Sequence, residues 1–497
     1  MNEADRSKPA HHPDFPDPLI EFMRTGWREQ ALPDLAALDH VPLHARRREQ
    51  LSAAFPGETL VIPTGTEKVR NNDCFYPFRP GSDFVWLTGE HDPDAVLIMR
   101  PNGGGHDAVL YARPRSSKEH DEFFRSAQYG ELWIGRRHSL AERSTLLGIE
   151  TADLGDLEKA LADSDGARVL RGYDQTVDRT IAAPEKIAAA EKPETAEGEK
   201  PRLDRDGELA AILSELRLVK DEWEIEQLVD AVDATVRGFA DVARVLPAKG
   251  SVSERLLDGV FGLRARHDGN AVGYASIVAA GSHATTLHWI RNDGRTQPGD
   301  LLLMDMGVEN RHLYTADVTR TIPVSGRFTD LQREVYQVVY ASQQAGIEAV
   351  RPGVAFKEIN RVCMRVLAEG LEALGVLPVS AEEALDPDKQ LYRRWTLHGF
   401  GHMLGTDVHD CASARQENYR DGEVEEGYVL TVEPGLYFQP EDDLVPDELR
   451  GIGIRIEDDV LVTSSGAEVL SAGLPRKADD VEQWLAEQRE QGPRLPD

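Results

Sequence analysis

The sequence predicts a two-domain protein, a smaller α/β domain followed by a larger α+β domain. Three observations predict it. Strand and helix signals alternate over residues 18–181. A stretch rich in Ala, Glu, Lys and Pro then interrupts the chain at 182–206. Beyond it, strand-like runs are set among a few long helical patterns without strict alternation, the signature of a mainly antiparallel sheet.

Residues 1–17 hold too few apolar side chains to bury anything and are expected to be disordered. In the first domain Leu35–Ala54 reads as a helix. Thr59–Val61, Phe84–Thr88 and Ala95–Met99 read as short strands, the last after the turn-forming Asp92-Pro93-Asp94. The 182–206 stretch, AAPEKIAAAEKPETAEGEKPRLDRD, suits an exposed insertion or linker. The second domain is expected over 207–475, followed by a C-terminal tail at 476–497. It opens with helical spacing over Leu209–Val245. Strand-like runs follow at Tyr274–Ala279, Leu301–Met306, Val318–Val324, Val429–Val432 and Ile454–Val462. Helical patterns at Gln332–Val350 and Ala355–Ala373 lie between them.

Composition excludes some functions. With 87 acidic against 56 basic residues, the net charge of −31 repels nucleic acid and anionic membranes, because phosphate binding needs clustered cations. Cys74, Cys363 and Cys411 are far apart and show no CxxC spacing, which argues against a disulfide framework and a thiolate zinc site. The polar, Pro-rich beginning has no signal-peptide core, and no run approaches the roughly 18 apolar residues of a spanning helix. A cytoplasmic protein without nucleic-acid or membrane partners is expected.

Five segments of the second domain each carry a metal-capable side chain near a strand end. LLLMDMG holds Asp305 and YTADVTRT holds Asp317; a hairpin between them would set the two acids opposite each other. LHGFGHMLGTDVHD places His398, His402 and His409 among Gly399, Gly401, Gly405 and Thr406. YVLTVEPGLY holds Glu433. In GIGIRIEDDV, period-2 alternation puts Arg455 and Glu457 on one face and Ile454 and Ile456 on the other. Any one of these alone reads as a turn cap or a hydrogen-bonded structural histidine. Together they read differently, because a carboxylate among apolar strand residues is costly unless paired or metal-bound. The donor set is hard, oxygen-rich and more negative than one divalent ion requires, so it suits two ions of the manganese or cobalt type. Two such ions can hold a bridging hydroxide and polarise a carbonyl, which hydrolyses an amide without a serine or cysteine nucleophile. No GxSxG, GxxxxGK[ST] or HExxH pattern offers a competing mechanism.

The ordered set Asp305, Asp317, His402, Glu433 and Glu457 resembles the metallopeptidase family of methionine aminopeptidase, prolidase and aminopeptidase P, whose catalytic domain has the pita-bread fold. HGFGHMLGTDVHD, TVEPGLY and GIRIEDD resemble its proline-specific branch. DCFYPFRPGSDFVWLTG and ELWIGRR are similar to the N-terminal domain of aminopeptidase P, so the resemblance runs from residue 37 to 470. It implies an Xaa-Pro aminopeptidase that removes the first residue of peptides with proline second. It also implies two divalent ions, manganese in preference to cobalt or zinc. Asp305 would hold one ion, Asp317 and Glu457 would bridge, and His402 with Glu433 would complete the second site. Glu433 would also transfer a proton. His288, in SIVAAGSHATTLHWIRND, matches the family histidine near the substrate carbonyl. His398 and His409 match residues on the proline side, and Arg455 an arginine beside the site.

The same resemblance leaves an Xaa-Pro dipeptidase as the alternative, with a metal-free peptide-binding module or a creatinase-like amidinohydrolase further off. It further implies a homodimer or homotetramer whose N-terminal domain overhangs a neighbour's site, with Phe84 and Trp86 either at that contact or in the core. One departure stands out. Asp305 and Asp317 are twelve residues apart, one more than the family spacing. The extra residue, around Asn310 to Leu313, needs a bulge or a longer turn, or one aspartate faces the wrong way.

Overall fold

The computed structural model describes residues 15–28, 35–164, 166–181, 203–247 and 249–496, so the expectations for 1–14 and 182–202 lie outside the described residues. The chain divides into two compact units, Met1–Leu209 and Ala210–Asp497.

The first unit is built on a five-stranded sheet. Its spatial order is Glu150–Asp153, His106–Ala112, Val96–Pro101, Leu60–Pro63 and Arg168–Val169, antiparallel in the middle and parallel at both edges. Leu60–Pro63 is buried along its whole length, as an apolar central strand must be. Two expectations are corrected here. The first helix of the sheet region begins at Val41 rather than Leu35, where Pro42 occupies the first turn with φ already set for a helix. Phe84–Thr88 is not a strand but part of the helix Ser82–Thr88, which ends on Gly89 in the left-handed region (φ 71°). A short apolar run has no period that separates a buried strand from a buried helix turn. Phe84 and Trp86 are 0% and 3% exposed, so they belong to this unit's own core.

The single helical pattern expected over Leu209–Val245 is two helices, Arg205–Leu216, which runs across the boundary at Leu209, and Glu222–Val245, wholly in the second unit. The break is capped by Asp221, whose side chain and that of Glu224 form a reciprocal capping box. A three-stranded sheet runs Val318–Pro323, Leu301–Met306, Ile277–Ala280; a second runs Val429–Val432, Asp458–Thr463, Gly466–Val469. Gly435–Tyr437 pairs with Gly453–Arg455, and every strand pair named in this unit is antiparallel. The helices Asp330–Ala349 and Phe356–Ala373 bury Val335, Tyr336, Val339, Ile359, Met364 and Leu367 in one core with these strands. Residues 476–497, read as a tail, contain the helix Ala478–Gln491, and its Val481 and Leu485 are buried in the same core. Their charged neighbours hid that apolar stripe. Among the described residues no helix is long and apolar enough to cross a membrane.

Candidate active site

The hairpin expected to deliver two aspartates does so with a one-step offset. Leu301–Met306 pairs with Val318–Pro323 so that Asp305 faces Thr319 and Met306 faces Val318. Asp317, two residues before Thr319, therefore lies diagonal to Asp305 and on the same face. The longer connection closes in a turn: Asn310 N–H donates to Tyr314 O (2.8 Å) and Leu313 N–H to Asn310 O (3.0 Å). Asn310 Oδ1 accepts from the His312 and Tyr314 amides, and Leu313 takes a left-handed φ of 69°. The turn absorbs the added length, so the register of both aspartates survives.

The run Ile454–Val462 is split into Gly453–Arg455 and Asp458–Thr463. Between them the Glu457 amide donates to Thr319 O (3.1 Å), tying this break to the aspartate hairpin. Gly401 is required where the histidine segment crosses the Glu433 strand, because a Cβ there would lie 1.9 Å from Thr431 O. These five segments enclose a cavity of about 550 Å³ lined by Asp305, Asp317, His402, Glu433, Glu457 and Tyr274. His288, His398, His409 and Arg455 line it too. All nine positions singled out from the sequence are thus brought to one cavity.

Single ligand atoms of Asp317, His402 and Glu457 lie within 4.8 Å of one another. His402 Nε2 is 3.3 Å from Asp317 Oδ2 and 3.6 Å from Glu433 Oε1. Its Nδ1 is 3.1 Å from Met403 O, which directs Nε2 to the carboxylates. Asp305 is gripped from two sides, by Tyr274 Oη at 2.7 Å and Arg455 Nη2 at 2.6 Å. Tyr274 Oη is also 2.5 Å from Asp317 Oδ1 and so links the two aspartates.

The electrostatics favour a cation here. Burial, then repulsion from Asp317 and Glu433, holds the Glu457 carboxyl well above its usual range. Glu433 is pushed up to about 7, first by burial, with Asp317 adding to the rise against the pull of His402. Burial alone would lower His402, but Asp317 and Glu433 outweigh it and lift the ring to about 9. A pocket that draws a proton onto imidazole between carboxylates fits divalent ions in the same place.

His398 behaves oppositely: burial first, and Arg455 next, lower it to about 3, so its ring is neutral. Arg455 Nη1 donates to Tyr437 Oη (2.8 Å), which leaves the tyrosine O–H for His398 Nε2 (2.8 Å). His398 Nδ1–H then faces Gly399 O at 2.9 Å. His409 packs edge-on against His402, ring centroids 4.4 Å apart.

Sequence reasoning missed four contributors. Tyr274 and Tyr437 hold the acids and His398; Tyr437 stands in the TVEPGLY segment itself. Thr319 Oγ1 donates to Glu457 (2.5 Å), and buried Asp459 accepts from the Asp317 amide at 3.1 Å. Only the alternation after Asp317 hints at Thr319, and nothing local marks Tyr274.

Residues 226–464 match the model of metallopeptidase family M24, and residues 44–168 match the aminopeptidase P N-terminal domain. The chain is 52% identical over 476 residues to Xaa-Pro aminopeptidase 1 of Streptomyces coelicolor, covering 96% of this chain and 93% of that one. It is similar to the structure of aminopeptidase P from Escherichia coli with the inhibitor Pro-Leu (TM-score 0.78, 30% identity, 92% of this chain and 100% of the other). It is likewise similar to zinc-substituted E. coli aminopeptidase P in complex with product (TM-score 0.77, 30% identity, 91% and 100%).

Proposed function

The chain belongs to metallopeptidase family M24, with an aminopeptidase P N-terminal domain and a pita-bread catalytic domain, and we propose that the cavity just described is its hydrolytic centre. It is a metallo-aminopeptidase, an Xaa-Pro aminopeptidase rather than an Xaa-Pro dipeptidase. Its substrate in this reading is a peptide with proline at the second position. The observation that carries the assignment is the convergence of four carboxylates and His402 in one buried cavity.

Asp305, Asp317, His402, Glu433 and Glu457 would hold two divalent ions, with Asp317 and Glu457 shared between them. Manganese is preferred for so oxygen-rich a donor set, with cobalt and zinc as alternatives. When bound, two such ions supply Lewis-acid polarisation of the scissile carbonyl and ionise water near neutral pH. The chain's own residues do the rest. His288, on the exposed side of the cavity, donates to the carbonyl oxygen of residue one as negative charge develops there. Glu433, 3.5 Å from His398 Nδ1, carries the proton to the proline nitrogen. His398, held neutral by Tyr437 and Arg455, and His409 line the proline side. Arg455 keeps Asp305 aimed at the centre through its 2.6 Å hydrogen bond.

The same reading places the protein in the cytoplasm as a homodimer or homotetramer. Leu132, Trp133 and Ile134 of the first unit, each 50% exposed or more, support a subunit contact; light scattering of the purified chain tests it. The test of the centre is Glu457→Ala, which should remove bound divalent ions and Xaa-Pro-Yaa cleavage together. Wild-type cleavage by that variant would sink the assignment, and a wild-type chain without divalent ions or activity would favour a peptide-binding module.

A further inference from the structure

Outside the ligand set, Glu254 is a buried carboxylate of the catalytic unit with both oxygens in use. It opens the helix Glu254–Asp268, and its side chain is 0% exposed. One oxygen accepts from the Ala280 amide (2.9 Å) and faces His283 Nδ1 (2.8 Å). The other accepts from Trp289 Nε1 (2.9 Å) and the Gly294 amide (2.7 Å). All four partners lie in one stretch, 280–294, with His288 in its middle. The stretch is closed at its end as well: the Glu254 amide donates to Gly294 O (3.1 Å). Gly294 admits no side chain, since a Cβ would meet His283 Cε1 at 2.4 Å.

A buried carboxylate is tolerable only while its acceptor sites are filled, so these contacts stand or fall together. The His288 side chain forms no hydrogen bond with another described residue, and it is exposed to the cavity. Its position is therefore inherited from its backbone. The adjoining Trp289 ring is buried, tied to Glu254, and stacked on His283 at 3.9 Å and 22°.

We propose that Glu254 is a positioning residue for His288, holding the 280–294 stretch through Trp289, His283 and the Gly294 amide so that His288 meets the scissile carbonyl already oriented. The inference rests on the role given to His288 above. A misplacement of about 1 Å at such a group costs on the order of 100-fold, so loosening the stretch should be read in kcat. The test is a double-mutant cycle: Glu254→Gln and Trp289→Phe, each alone and combined with His288→Ala. Cleavage of an Xaa-Pro-Yaa peptide and metal content are measured for every variant. Glu254→Gln and Trp289→Phe are expected to lower kcat about tenfold or more in the parent and almost not at all beside His288→Ala, with bound metal unchanged. An equal loss in both backgrounds makes Glu254 a general staple and overturns the proposal, as does no loss in the parent. Should Glu254→Gln fail to fold, the Trp289→Phe pair answers alone. Wild-type kcat in His288→Ala by itself overturns the role of His288, a result distinct from failure of the Glu254 coupling.

Discussion

Asp410→Asn is expected to loosen the segment that carries His402 and His409. Asp410 follows His409 directly and is 1% exposed. It is clamped by two cations from the turn between the first helices of the catalytic unit. Lys220 Nζ donates to Oδ2 at 2.9 Å and Arg217 Nη2 to Oδ1; the Lys220 side chain is 1% exposed and that of Arg217 4%. Burial alone would raise the Asp410 carboxyl, but Arg217 and then Lys220 outweigh it and hold it far below the usual range. Neutralising one member of such a buried cluster strands the others' charge, which costs about 3–5 kcal/mol. Asp407 supplies an internal control: it touches the same Arg217 at 3.0 Å but is 43% exposed, so Asp407→Asn should cost under ~1 kcal/mol. Two units need not unfold together, so amide hydrogen exchange read peptide by peptide is the right assay. At ~1.4 kcal/mol per tenfold, exchange over 402–411 should rise by about two to three and a half orders of magnitude in Asp410→Asn and metal retention should fall with it. Unchanged exchange, or an equal rise in Asp407→Asn, would refute the reasoning.

Gly401→Ala should abolish metal retention and peptidase activity, because the added Cβ lands 1.9 Å from Thr431 O beside His402; measured activity near wild type would contradict this. Leu485→Ala, in the helix Ala478–Gln491, should destabilise the catalytic unit by ~2–5 kcal/mol in urea unfolding, since Leu485 is 0% exposed in its core. His44 is lowered to about 3, by burial first and against the pull of its hydrogen bond with Trp86 O. The folded unit thus binds fewer protons than the unfolded chain between about pH 6.5 and pH 3. Its stability should fall as pH drops through that window, and His44→Gln should flatten the slope of hydrogen exchange over 41–54.

How much was legible in the sequence differs from residue to residue. The ligand positions were readable because each acid or histidine interrupts an apolar or glycine-rich run, and a charge in such a place demands a partner. The strands Leu301–Met306 and Val429–Val432, buried along their whole length, were marked by short apolar runs, and the helices Asp330–Ala349 and Phe356–Ala373 by apolar residues recurring at helical spacing among polar ones. The helix Ser82–Thr88 was misread because a fully buried segment has no polar face to reveal its period. The offset between Asp305 and Asp317 was not readable either, since register is set by a turn in which Leu313 takes a positive φ. Tertiary structure alone decided which further groups serve the site. Tyr274 reaches two aspartates across a strand, Glu254 gathers four donors from one distant stretch, and Lys220 with Arg217 fixes a histidine segment some 190 residues away. Sequence by itself determined which side chains needed a partner; only the folded chain, by closing distance between remote segments, determined which partner each one received.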